Sequence, residues 1–170
     1  MSFLMTATPI NMHVIENYSL NKTGIVIQLH IVSMFLPSLI TGSLLKKFGH
    51  SIIIYAGVSF YILTILLSFL QPSFFNYLFS LVFLGIGWNF LYLSGTGLLV
   101  LSYREEEKFK AQGFNDILVF SIQALASLSA GYMLSMTSWK TMNLIAVPFL
   151  ILIVFSSIRA DLSKDSKLRN

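Results

Sequence analysis

An uncharged run of 28 residues, from Phe74 to Leu101, constrains the fold of this chain more than any other feature of its sequence. As an α-helix the run would be about 42 Å long, because each residue adds about 1.5 Å. The hydrocarbon core of a bilayer is only about 30 Å thick. A charged loop follows from Ser102 to Gly113, and then a second apolar run from Phe114 to Met136. The pattern predicts a helical hairpin that crosses a membrane twice.

The rest of the chain repeats this alternation of apolar runs and short polar loops. Charged residues make up 11% of the 170 residues, against about 25% in soluble domains. We therefore predict an all-α, polytopic transmembrane helical bundle over residues 1–158 and a polar, mobile cytoplasmic tail over 159–170. The first segment is too short to cross the bilayer, and Pro9 removes a backbone donor within it. The predicted segments are 1–15 (partial), 24–45, 51–70, 74–101, 114–136 and 141–158.

Basic residues are distributed unevenly between the two ends of these segments. Nine lie at one end and two at the other, and the basic end of a membrane protein faces the cytoplasm. We predict a bacterial-type cytoplasmic (inner) membrane location with the C-terminus in the cytoplasm. The nine are Lys46, Lys47, Arg104, Lys108, Lys110, Arg159, Lys164, Lys167 and Arg169; the two are Lys22 and Lys140.

Several function classes find no support in the composition. There is no cysteine, which excludes disulfides and thiolate metal sites, and His13, His30 and His50 lie at scattered depths, so we predict no metal site. We predict no cofactor and no enzyme activity, because no nucleophile triad or phosphate-binding glycine loop is present. An intramembrane enzyme centred on His30 is the weak alternative. The net charge of +4 is spread between spans without a basic, aromatic face, so we predict no nucleic-acid partner.

Polar and aromatic residues recur at helical spacing within four of the segments. Such side chains avoid lipid and face other helices or water, so we predict that they line a solute cavity. The faces are Thr6, Pro9 and His13; His30, Met34, Pro37 and Thr41; Gly85, Asn89, Tyr92 and Thr96 with Trp88 beside them; and Asp116, Phe120, Gln123 and Ser127. The cavity candidates are Thr6, His13, His30, Trp88, Asn89, Tyr92 and Gln123.

Helix packing is the alternative interpretation of the same faces, because small residues let helices approach and amides bridge them. We leave both interpretations open for three residues. Trp88 beside Asn89 suits a ring-containing solute, and His30 could couple transport to protons or simply be hydrogen-bonded. Asp116 is predicted to complement the positive end of its helix. Packing is favoured for Gly85, Gly87, Gly95, Gly97, Thr41 and Ser127.

Several sequence blocks resemble the C-terminal half of a major facilitator superfamily transporter. MTATPINMH is similar to the outer part of the seventh helix of one bacterial branch, and QLHIVSMFLPSLITGSLLKKFG is similar to the eighth helix and its loop. The stretch from Leu84 to Phe120 resembles the tenth and eleventh helices; its WNF, GTGLL and QGFND blocks are the most specific. Relatives of this branch tend to have proline where Glu105 stands.

The loop after the second segment resembles the family motif G-x-L-x-D-R-x-G-R. Gly42, Leu44 and Gly49 match, Lys47 keeps the basic character, and Lys46 replaces the aspartate. This loss weakens the assignment of the loop as a gate without undoing the resemblance. The cytoplasmic loop and gate candidates are Gly42, Lys46, Lys47, Gly49, Arg104, Glu107, Asn115 and Asp116.

The resemblance implies one half of a secondary carrier for a small organic solute, with proton coupling left open. Substrate would bind between two six-helix halves, so a second half on the same or a separate chain is the implied partner, together with the lipid bilayer. The first helix is cut short, which leaves open a truncated or split protein. The alternative is a non-transporting remnant or an accessory subunit that associates with another helical bundle.

Overall fold

In a computed structural model, the backbone of residues 1–168 and the side chains of residues 1–162 are described. Within this part every regular element is helical and no strand occurs, which confirms the all-α prediction. The elements are α1 (Ser2–Pro9), a π-helical turn (Ile10–Ile15), α2 (Leu20–Phe35), α3 (Ser38–Ser68), α4 (Phe74–Val100), a 3-10 turn (Glu105–Glu107), α5 (Lys108–Met136), α6 (Trp139–Leu144) and α7 (Val147–Leu168).

Four helical stretches of the described chain are long and apolar enough to cross a membrane. They are Ser38–Ser68, Phe74–Val100, Glu105–Met136 and Trp139–Leu162. The first helix, α1, has only 8 residues and does not reach across the hydrocarbon core. The chain is thus an integral membrane protein built as a partial helical bundle.

The long helix α3 bends sharply at Gly49, where the predicted loop KKFGH lies. Gly49 has φ 81° and ψ 169°, a combination essentially restricted to glycine because it needs no Cβ. Residues before Gly49 follow α2 through Leu36 and Pro37, whose backbone angles remain helical, and residues after Gly49 form the next apolar segment. Between α2 and α3 the series of backbone hydrogen bonds along the helix is interrupted at Leu36 and Pro37, because proline has no N–H to donate.

Helix α5 begins at Lys108 rather than at the predicted Phe114. The three acidic residues of the preceding 3-10 turn lie at its start, where negative charge complements the helix dipole. The Glu107 carboxylate also accepts a hydrogen bond from the Arg104 backbone N–H at 3.4 Å. Asp116 lies more than two turns inside the helix and is exposed. The prediction that Asp116 caps this helix is therefore wrong.

The last predicted segment consists of two helices. Helix α6 ends at Leu144 and α7 starts at Val147, just before Pro148, which cannot donate to the carbonyl four residues earlier. Helical geometry then continues through Leu168, into the region predicted as a polar, mobile tail. Arg169 and Asn170 lie outside the described residues.

Two glycines of α4 allow close helix contacts. A Cβ at Gly85 would overlap the Ser33 hydroxyl and lie 2.8 Å from the backbone oxygen of His30 on α2. A Cβ at Gly87 would lie 3.0 Å from the backbone oxygen of Gly57 on α3. The packing interpretation of Gly85 and Gly87 agrees with these contacts.

Helix α5 is packed far less than its neighbours. Only 11% of its apolar window is buried, against 44% for α3 and 39% for α4. Its main contact is with the short helix α1. A long apolar face from Phe109 to Met136 consequently remains exposed.

Candidate functional site

Asn89 lies at the meeting point of α2, α3 and α4, and its exposed fraction is 2%. Its amide nitrogen donates to the backbone oxygen of Met34 at 2.8 Å and to the Ser38 hydroxyl at 2.6 Å. Its amide oxygen accepts from the Thr41 hydroxyl at 2.8 Å. Met34 stands just before the interruption at Pro37, where the helix ladder leaves carbonyl groups without backbone donors. The Asn89 side chain therefore completes the hydrogen bonding of a broken helix on a neighbouring element.

His30 is fully buried between α2 and α4. Its Nδ1 lies 2.7 Å from the backbone oxygen of Leu81. A carbonyl can only accept, so Nδ1 carries the proton of this bond, and in the neutral ring Nε2 is the acceptor. Nε2 is buried and has no hydrogen-bond partner among the described residues. His30 thus bridges two helices with one nitrogen and keeps the other available.

Trp88 and Tyr92 form a stacked aromatic pair on the side of α4 that faces α5. Their ring centroids are 4.8 Å apart and their planes differ by 10°. They line an open recess of about 260 Å³ that also includes Gly95, Thr96 and, from α5, Asn115. We call this the α4–α5 recess. Aromatic faces with a few polar groups are typical of sites for small ring-containing molecules.

The predicted pairing of Trp88 with Asn89 does not occur in the structure. Successive residues of a helix point about 100° apart, so Asn89 faces α2 and α3 while Trp88 faces the recess. The amide across the recess from Trp88 belongs to Asn115, which was predicted as a cytoplasmic loop or gate candidate. Asn115 and Val119 are one helical turn apart, and this spacing is the sequence signal for their shared face. Gly95 borders open space rather than a helix contact, unlike the packing role favoured for it.

Two of the other cavity candidates lie between α1 and α5. The Ser2 hydroxyl donates to the Gln123 amide oxygen at 3.2 Å, and the Thr6 hydroxyl donates to the Ser127 hydroxyl at 3.2 Å. The donors are four residues apart on α1 and the acceptors four apart on α5, so they form two successive rungs. These bonds are part-buried and join α5 to α1, the helix with which α5 has its main contact among the described residues.

His13 does not share a face with Thr6, although their spacing predicts it. The intervening π-helical turn, from Ile10 to Ile15, makes i to i+5 hydrogen bonds, which rotate the following residues out of the α-helical register. His13 is exposed, and its Nδ1 lies 2.8 Å from the backbone oxygen of Tyr18. The predicted common face is therefore wrong for His13.

The cytoplasmic gate candidates lie in two separate places. Gly42, Lys46, Lys47 and Gly49 are exposed around the bend of α3, and Arg104, Glu107 and Asp116 are exposed near the start of α5. The ion pair of the described residues joins Lys108 to Glu105 at 3.3 Å, and its exposure makes its contribution small. Asn115 is set apart from this group because it lines the α4–α5 recess.

No group of three His, Cys, Asp or Glu side chains is arranged to hold a metal ion in the part of the chain that the structure describes.

The longest helices of this chain are apolar enough to cross a membrane, and its helices meet through buried amides, hydroxyls and close glycine contacts. These features define the class: a polytopic α-helical membrane protein. The chain belongs to the Major Facilitator Superfamily, whose family model matches residues 1–169. The family resemblance is thereby confirmed.

Individual relatives agree with this membership. A riboflavin transporter of Brucella anthropi is 36% identical over 157 residues, which cover 91% of this chain and 38% of the relative. A Bacillus subtilis protein described as an MFS-type transporter is 32% identical, over 91% of this chain and 36% of its own length. A second such Bacillus subtilis protein is 33% identical, over 84% and 33%. The chain thus spans about a third of the length of these relatives, and no solved structure matches it significantly.

Proposed function

We propose that this chain is the C-terminal half of a secondary carrier, completed by a second helical bundle, that moves a small ring-containing organic solute across a bacterial cytoplasmic membrane. The basic loops and the C-terminus face the cytoplasm in this proposal, as the positive-inside rule requires. The solute binds between the two bundles.

The observation that carries the proposal is the exposed side of α5 next to the α4–α5 recess. Only 11% of the apolar window of α5 is buried, yet the helix bears Asn115 and Gln123 on the side that meets this chain. A face that combines a polar recess with unburied apolar surface suits a second protein bundle, because the exposed Asp116 carboxylate, which accepts a hydrogen bond from the Asn115 amide at 3.4 Å, would be costly to place in lipid. The partial coverage of the relatives supports the same view.

A planar ring is the solute feature that best suits the recess. The parallel rings of Trp88 and Tyr92 give the recess an aromatic wall. Asn115 supplies an amide that can donate and accept hydrogen bonds. A relative that is named a riboflavin transporter supports a solute of this type. Riboflavin is therefore the first probe to use.

Co-purification tests whether a second bundle completes the carrier. The tagged chain is isolated from its native membrane in mild detergent, and its companions are identified by mass spectrometry. We expect a companion of about six helices, or a longer form of the same chain. Recovery of the chain alone would contradict the half-carrier proposal and would favour the non-transporting remnant.

Cysteine labelling tests the solute site directly, because the chain has no cysteine of its own. Single variants Asn115→Cys, in the recess, and Arg104→Cys, in the exposed loop, are treated with a water-soluble thiol reagent in the assembled protein. We expect riboflavin to slow labelling at position 115 and to leave position 104 unchanged. Equal labelling rates with and without riboflavin at both positions would reject the recess as a site for that solute.

A further inference from the structure

A second cavity lies at the opposite end of the bundle from the Gly49 bend and the charged loop. It has a volume of about 300 Å³, is partly open, and is lined by residues of the connections α1–α2, α3–α4 and α5–α6 and of the adjoining helix ends. None of its lining residues belongs to the α4–α5 recess. We call it the outer cavity. Its volume is at the lower end of the range for small-molecule sites, so it suits a solute and not a macromolecule.

The wall of the outer cavity carries two opposite charges. Glu16, from the connection after the π-helical turn, and Lys140, from the first turn of α6, both line it. Neither makes an ion pair with another described residue. The Lys140 ammonium lies 6.0 Å from the ring centroid of Phe69, so its contact there leaves its hydrogen bonds available. Most of the remaining wall is apolar, with Leu67, Leu70 and Leu134 among its members.

Aromatic and amide groups form the buried side of the outer cavity. The rings of Tyr77 and Trp139 lie 5.6 Å apart, and Tyr77 is only 3% exposed. The Asn11 amide donates to the Tyr77 hydroxyl at 2.5 Å. Since the phenol oxygen accepts this bond, its own proton is left to donate, and no acceptor for it lies among the described residues. The hydroxyl can therefore donate to a molecule inside the cavity.

We propose that the outer cavity binds a small zwitterion that carries a primary ammonium, an anionic group and an apolar portion. Glu16 and Lys140 are both exposed, so they lie at the open side of the cavity. Each can pair there with an opposite charge of a ligand while the apolar portion of the ligand packs against the apolar wall. The ammonium pairs with Glu16, the anionic group pairs with Lys140 and the Tyr77 hydroxyl, and the apolar portion packs beside Trp139. A ligand with only one charge makes one of these two charge pairs and therefore binds more weakly.

Tryptophan fluorescence can measure this binding at a single position. The chain has 2 tryptophans, so Trp88→Phe leaves Trp139 as the only reporter, and position 88 lies outside the outer cavity. The full chain in lipid-free detergent is titrated with L-phenylalanine, with phenethylamine, which lacks the carboxylate, and with 3-phenylpropionate, which lacks the ammonium. We expect saturable binding of L-phenylalanine and dissociation constants roughly ten-fold higher or more for the other two.

Charge-removing variants then assign the two ends of the ligand. In the Trp88→Phe background, Glu16→Gln should weaken L-phenylalanine to the level of 3-phenylpropionate, and Lys140→Met should weaken it to the level of phenethylamine. Lys22→Met is the matched control, since Lys22 lies at the same end of the bundle but outside the cavity, and it should change nothing. Circular dichroism of each variant establishes that its helices are intact.

The same chemistry is found in free amino-acid-type solutes and in the headgroup of an aminophospholipid, and nanodiscs distinguish the two sources. Phosphatidylethanolamine in phosphatidylcholine nanodiscs should shift Trp139 emission and compete with L-phenylalanine if the headgroup is the ligand, and should do neither if a free solute is. The proposal is overturned if Trp139 responds to neither probe, or if Glu16→Gln and Lys140→Met leave the response unchanged. The cavity lies within this chain, so this result is independent of any second bundle.

Discussion

The contact between α2 and α4 at Gly85 leads to a sharp prediction about stability. Replacing Gly85 by alanine adds a Cβ that would overlap the Ser33 hydroxyl and lie 2.8 Å from the backbone oxygen of His30 and 3.1 Å from the backbone nitrogen of Met34. The serine side chain can rotate away, but the two backbone atoms move only if α2 itself moves. The substitution must therefore push the two helices apart or strain the contact.

The matched control lies on the same helix. A Cβ at Gly95 would meet no atom within 4 Å, so Gly95→Ala adds a methyl group without a clash. Both substitutions gain the same helix preference of alanine over glycine, about 0.5–1 kcal/mol, and this gain cancels when the two variants are compared. What remains is the cost of overpacking, about 1–3 kcal/mol. Gly85→Ala should be less stable than Gly95→Ala by that amount.

Unfolding in mixed detergent micelles measures this difference. Each variant is unfolded by increasing the mole fraction of a denaturing detergent, and helix content is followed by circular dichroism. We expect the midpoint of Gly85→Ala to fall below that of Gly95→Ala and of the unchanged chain. If the two variants unfold at the same mole fraction, the backbone of α2 does not lie close enough to Gly85 to exclude a Cβ there.

Three further predictions concern the bend, the amide bridge and the recess. Gly49→Ala should lower stability by about 1–3 kcal/mol in the same unfolding assay, since its φ of 81° is unfavourable for any Cβ, while Gly42→Ala, which lies in open space, should not. Asn89→Ala should cost about 1–3 kcal/mol, because the Met34 carbonyl loses its partner; a fully stable variant would show that the bridge contributes nothing. Trp88→Ala should raise the riboflavin concentration needed to protect a recess cysteine, whereas the ring-preserving Trp88→Phe should raise it less, and equal protection would exclude stacking.

The fold class follows from the sequence because a bilayer permits few alternatives. Long uncharged runs must be helical where water cannot satisfy the backbone, and short polar loops must connect them. The bend at Gly49 was also predictable, since a basic, glycine-containing loop separates two apolar runs. The start of α5 could not be predicted, because the acidic residues before Lys108 are equally compatible with a loop and with a helix N-terminus.

The candidate site was predictable as a set of polar faces but not in its pairings. Spacing places Trp88 and Tyr92 together, and they stack as expected for helical neighbours. Residue spacing could not show that the Asn89 side chain faces the break between α2 and α3 at Pro37, because that contact depends on how three helices cross. The displacement of His13 follows from a π-helical turn, which periodicity of 3.6 residues does not anticipate.

The π-helical turn between Ile10 and Ile15 has a consequence for how chains of this type diversify. A turn that closes i to i+5 holds one residue more than an α-helical turn, so a single-residue deletion after Met12 would restore ordinary helix without disturbing Asn11 or Met12, which are buried. Such a deletion would also shorten the connection from Met12 to α2 by one residue and so move Glu16 away from its present place. A one-residue change in this turn can thus relocate the Glu16 carboxylate of the outer cavity while the buried residues before it keep their contacts.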